Sequence, residues 1–225
     1  MNTMLATPVQ PEAPMSEVPV QQSINQLIDA LMATLPNLKE LSSAERRGTI
    51  ARYTSVLEGN FIYWMTATFM AAKSEAARCI IIDNLNEEIR DAHPHMMRKF
   101  AAAAHAYPDS SDAFAVHDDL TNMRLFMGKM NGVKSILAMA FFEGFIQRFM
   151  PYLATLATEQ GSTELEYTDV HGVCDIEHTA GLFRAYEAER AVSPIGPGVN
   201  IYEGVFLLRD LMRTVIFGRV YSIAV

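Results

Sequence analysis

Cysteine is almost missing from this chain. Cys79 and Cys174 are the only two in 225 residues, far apart and set among apolar neighbours in sequence. That excludes a disulfide framework and fits reduced thiols in a cytoplasmic protein, with Cys174 read as a small packing residue. Runs of basic residues are missing too: Lys and Arg number 18 against 26 Asp and Glu, a net charge of -8. A phosphate-tracking surface for nucleic acid or an anionic membrane is therefore excluded, and small molecules or proteins remain as partners. Long hydrophobic runs are also lacking. The longest, ILAMAFFEGFI from Ile136 to Ile146, is interrupted by Glu143 and is too short for a bilayer ~30 Å thick. Residues 1–20 combine several prolines with small and acidic residues and lack a basic start followed by an apolar run. They read as a disordered leader rather than a signal peptide or anchor, ahead of one domain over residues 21–225.

Alternating strand patterns and internal repeats are absent, and helical periodicity fills most of the remainder. A short first helix follows Ser23 and stops at Pro36; Ser42 and Glu45 form a capping-box pattern opening one long helix to about Ala72. Further helices are expected over about Glu75–Arg90, Pro94–Ala106, His117–Lys129, Asn131–Glu159 and Thr168–Arg190, and from Asn200 onward. Pro151 either kinks or divides the sixth, TELEY before the seventh reads as extended, and SPIGPG (Ser193 to Gly198) is a breaker. The expected fold is an all-α single bundle of about seven to eight helices, with fourteen methionines filling irregular core gaps.

The informative residues interrupt the apolar faces. Glu58 sits in SVLEGNFIYW, Glu88 ends IIIDNLNEE, and Glu143 lies in AMAFFEGFI. A carboxylate desolvated alone either takes up a proton or finds a cation, so each needs a partner. HGVCDIEH adds a row: steps of four and three put His171, Asp175 and His178 on one helical face. Oxygen and imidazole ligands converging from several helices are how a bundle builds an iron or manganese site. Glu58, Glu88, Glu143 and Asp175 bring four negative charges, which balance two divalent ions rather than one.

One familiar pattern is missing. Ferritin-type sites place a Glu-x-x-His on each of two helices, and this chain has no Glu-x-x-His at all. Taken together, Glu58 in an early helix, NLNEE with a His-Pro turn (Asn84 to Pro94), Glu143 in a later helix and the His171–Asp175–His178 row resemble another family. It is that of the heme-oxygenase-like diiron oxidases and oxygenases, relatives in fold of the thiaminase-type and pyrroloquinoline-quinone-synthase proteins. The resemblance spans about residues 45–190 and implies a heme-oxygenase-like bundle without heme. It implies Glu58, Glu88, a histidine near 93, Glu143, His171, Asp175 and His178 as ligands to two Fe(II) ions, with O2 as co-substrate. The activity implied is oxidation of a small nitrogen-containing metabolite, by N-oxygenation or C–C cleavage of an amine or amino acid, in a biosynthetic pathway. An external reductant is compatible with that chemistry, and a homodimer with a bundle this apolar.

The segment between the NLNEE glutamate and the histidine is shorter than in the family. His93 keeps phase with Met96 and Phe100, and His95 is the second choice; Glu87 or Asp83 stand as substitutes for Glu88. Phe61, Tyr63, Trp64, Phe141 and Phe142 form pocket walls or plain core, and His105 and His117 match nothing. Two rivals stand beside the diiron reading: a metal-free enzyme of the same fold, and a non-catalytic helical interaction protein whose buried polar residues form a structural network.

Overall fold

A computed structural model describes residues 19–218. These form an all-α bundle whose helices are α1 (Val20–Met32), α2 (Ser43–Leu57), α3 (Asn60–Ala71), α4 (Glu75–Arg90), α5 (His93–Ala103), α6 (Ser110–Met127), α7 (Gly132–Glu159), α8 (Glu166–Val192) and α9 (Glu203–Phe217). Most of the expected leader, residues 1–18, lies outside the described residues, as do residues 219–225, over which the sequence was expected to extend the last helix. Among the described residues no helix is long and apolar enough to cross a membrane.

α7 is the axis of the bundle. Every residue from Ser135 to Ile146 is buried, because the segment is apolar on all sides and has α1, α2, α3, α8 and α9 packed around it. Pro151 neither divides α7 nor ends it: the helix runs on to Glu159, with the proline on its exposed side. α8 returns along α7 after the connection at residues 160–165, and α4 packs on the other side of α8. The site-bearing helices are thus adjacent layers.

Several expected boundaries change, including the first helix, which runs over Val20–Met32 rather than from Ser23 to Pro36. The helix anticipated from Glu45 to Ala72 is two, broken at Glu58 and Gly59, where Gly59 takes the left-handed conformation (φ +79°) that glycine adopts most readily. Asn60 secures that break: its side-chain amide donates to the Val56 carbonyl at 2.9 Å, and its oxygen accepts from Arg124 at 2.9 Å. α6 begins at Ser110 rather than near His117, because Asp109 accepts from the amides of Ser111 and Asp112 and completes a capping box. Glu166 and Tyr167 of the stretch expected as extended already belong to α8, and α9 starts at Glu203 rather than Asn200. The thiols also differ from expectation, since Cys79 is exposed and Cys174 half-buried.

Candidate metal centre

α4 places Asn84 and Glu88 four residues apart, so both point from one face into the core, where they are 5% and 3% exposed. α4 then ends at Asp91, and Ala92 turns the chain with φ +56°. A left-handed alanine costs roughly 1–2 kcal/mol, and such strain concentrates at functional sites. Here it starts α5 at His93, whose Nδ1 comes within 2.9 Å of Glu88 Oε1. His93 is buried and His95 exposed, so the turn settles which histidine faces Glu88.

α8 supplies the third member. His171 Nε2 lies 3.8 Å from Glu88 Oε1, and its ring stands edge-on to His93 with centroids 4.5 Å apart. His171 Nδ1 is 2.9 Å from the Tyr167 carbonyl one turn back. Burial holds His171 below the usual imidazole range, so the ring is neutral; its Nδ1–H donates to that carbonyl and Nε2 keeps a free lone pair. Glu88, His93 and His171 each offer a ligand atom within 4.8 Å of the others, and all three are buried. We call them the inner group; it could hold a metal ion.

The next turns of α8 build an outer group. Asp175 is fully buried, with Oδ1 3.6 Å from His178 Nδ1 and 3.3 Å from Cys174 Sγ. Glu143 reaches in from α7, its Oε2 3.8 Å from His178 Nδ1 and its Oε1 accepting from the Asn84 amide at 3.0 Å. His178 Nε2 meets Glu87 Oε2 at 2.9 Å on the side nearer solvent. Burial, then the Glu143 charge, pushes the Asp175 carboxyl well above the ordinary carboxylate range. Burial works against a charged His178, yet Asp175, Glu143 and Glu87 around the ring push it up to about 11. Without a metal, the imidazolium is the local counter-ion. Burial, then the Asp175, Glu143 and Glu88 carboxylates, pushes the Cys174 thiol up, so it stays protonated and its S–H donates to Asp175.

Of the seven ligands implied by the sequence, the structure gathers Glu88, His93, Glu143, His171, Asp175 and His178 and leaves Glu58 apart. Glu58 caps α2 at the break before Gly59, about a third exposed, where Arg98 donates to its Oε1 at 3.1 Å. The break is what turns it outward; an unbroken helix was expected to carry it inward. Three buried carboxylates therefore replace the four of the charge count, with Glu87 as a half-exposed fourth at the edge. Glu87 stands with the outer group and does not replace Glu88, and Asp83 is exposed. Of the aromatic residues, Phe61, Trp64, Phe141 and Phe142 are core and Tyr63 is exposed; His105 and His117 are exposed as well.

Sequence reasoning passed over Asn84 and set Cys174 aside as packing. The signal existed for both: Asn84 is four residues before Glu88, and Cys174 lies in the 171–174–175–178 stripe of one helical face. Two openings reach the site. A cleft of about 440 Å³ between α4 and α8 is lined by Asp83, Asn84, Glu87, Cys174, His178 and Arg184 among others. A pocket of about 20 Å³ beside Glu88, His93 and Tyr167 has room for one water.

Fold and site together define an all-α bundle with a buried carboxylate–histidine centre able to hold a metal ion. No protein-family model matches the chain, and no curated protein matches its sequence.

Proposed function

We propose that the chain is a non-heme diiron oxidase or oxygenase that uses O2 to oxidise a small nitrogen-containing metabolite, by N-oxygenation or C–C cleavage of an amine or amino acid. One observation carries this reading. Glu88 Oε1, His93 Nδ1, Asp175 Oδ2 and His178 Nδ1 are buried and lack hydrogen-bond partners, although oppositely disposed ligand atoms stand within 4 Å of three of them. An atom left wholly without a partner, as Asp175 Oδ2 is, costs about 1–3 kcal/mol, and a bound cation removes that cost. Glu88, His93 and His171 would hold one iron, and Glu143, Asp175 and His178 the other. Imidazole and carboxylate donors suit iron. When bound, two ferrous ions supply electrons and open positions for O2.

The chain's own groups do the rest. The Tyr167 carbonyl fixes the His171 ring, and the Asn84 amide fixes the Glu143 carboxylate through Oε1. Glu87 holds His178 Nε2 at the mouth of the cleft. The α4–α8 cleft is the route for substrate, and its carboxylates Asp83, Glu87 and Glu177 attract a cationic nitrogen.

The reading is tested by anaerobic ferrous titration of the apoprotein, followed by mixing with O2 under stopped-flow absorbance. Uptake of about two irons per chain and a transient visible band support it. No uptake and no band would falsify it, leaving HGVCDIEH as a substrate-binding or structural polar row in a metal-free enzyme.

A further inference from the structure

We propose that Cys174 is itself a ligand of the outer group, so that one of the two divalent cations is bound through a thiolate while the other is not. The inference rests on the reading above that these groups hold divalent cations, and adds to it a sulfur donor. The first support is placement. His171, Cys174, Asp175 and His178 occupy one stripe of α8, so the thiol stands in the ligand row rather than behind it.

Spacing is the second support. A tetrahedral cation with bonds of about 2.3 Å to sulfur and 2.0–2.2 Å to nitrogen or oxygen holds sulfur about 3.5–3.7 Å from a neighbouring oxygen, and two nitrogen or oxygen ligands about 3.3–3.6 Å apart, within a few tenths of an ångström of the spacings here. Cys174 Sγ lies 3.3 Å from Asp175 Oδ1, which lies 3.6 Å from His178 Nδ1. One ligand atom from each residue falls within 4.8 Å of the other two. The third support is what remains unsatisfied there: Asp175 Oδ2 and His178 Nδ1 are buried without a hydrogen-bond partner. A cysteine that merely packs sits against apolar atoms, whereas this one donates to a fully buried carboxylate and lines the α4–α8 cleft. A cation arriving through the cleft replaces the thiol proton, which leaves to solvent by the same opening.

The two cation positions are then chemically unlike. Glu88, His93 and His171 offer oxygen and nitrogen only, and the outer group adds sulfur, which favours ions with thiolate affinity such as Zn(II) and Co(II) over Mg(II) or Mn(II). The experiment is an anaerobic Co(II) titration of the full-length apoprotein followed by absorbance. A thiolate-to-cobalt charge-transfer band in the near ultraviolet, with the final amplitude of one thiolate-bound cobalt per chain, is expected. It is retained in Cys79→Ser, where the exposed thiol is removed, and lost in Cys174→Ser with a fall of about 10–100-fold in affinity at that position. X-ray absorption at the cobalt edge on the unaltered chain is an independent readout, and a sulfur neighbour at about 2.3 Å is expected. Cobalt uptake with ligand-field bands but neither the charge-transfer band nor the sulfur neighbour overturns the thiolate and leaves the cation sites standing. No cobalt uptake at all overturns both.

Discussion

The inner and outer groups share α8 but are built in opposite ways. The inner group draws one residue from each of three helices, depends on a strained turn at Ala92, and adjoins a pocket of about 20 Å³. The outer group takes Cys174, Asp175 and His178 from a single regular stretch of α8, adds Glu143 from α7, and opens on a cleft of about 440 Å³. Closure fixes ligands at the cost of backbone strain, and openness leaves a path for exchange. The difference leaves the inner group closed and the outer group open to solvent.

The sharpest way to break this comparison is to remove one group and ask whether the other survives. His171→Ala or Glu88→Gln should weaken the inner position by more than about 100-fold and leave one cation per chain, measured by anaerobic titration with metal analysis. Loss of both cations would show that the groups are one unit.

Asp175→Asn should act in two directions. Burial and the Glu143 charge hold the folded Asp175 carboxyl above its unfolded value, so the metal-free wild type loses stability as pH rises from ~4 through the folded value. The variant lacks that loss. The pH dependence of its Tm should therefore flatten, while His178 loses one of its carboxylate partners and the outer position no longer fills. An unchanged pH dependence of Tm would count against the buried charge.

Smaller effects probe the strained turn. Ala92→Gly relieves the left-handed alanine, offset by the greater freedom of glycine in the unfolded chain, for a net gain of about 0.5–1 kcal/mol in thermal melts. His95→Ala, at an exposed position two residues from the buried His93, should change neither stability by more than about 0.5 kcal/mol nor metal uptake. A His95→Ala variant that lost metal would reverse the choice between the two histidines.

Much of this site was legible because helical spacing is rigid: His171, Asp175 and His178 recur at steps that one face must share, and Glu143 interrupts a run otherwise free of charge. Glu58 was not legible, because its direction depends on whether Gly59 breaks the helix, and a glycine in a helical pattern permits either outcome. The gap between Glu88 and the next histidine was open for a similar reason. Nothing in Asp91–Ala92 announces a left-handed alanine, and that one torsion brings His93 rather than His95 to face Glu88. Cys174 was set aside by residue type, although its position on the stripe was as clear as that of its neighbours.

Glu189, near the far end of α8, accepts from the backbone amides of Lys73 and Ser74 at 2.9 and 2.8 Å and from the Ser193 hydroxyl at 3.0 Å. It pins the start of α4 to α8. From that pin to Glu88 is 14 residues of helix, a lever arm of about 21 Å at ~1.5 Å per residue. A tilt of α4 about the pin by roughly 3° therefore moves Glu88 by about 1 Å relative to His171, which at ~1.5 Å per residue is less than one residue's rise. The geometry of the candidate metal centre is in this sense set by the stiffness of a joint four helical turns away.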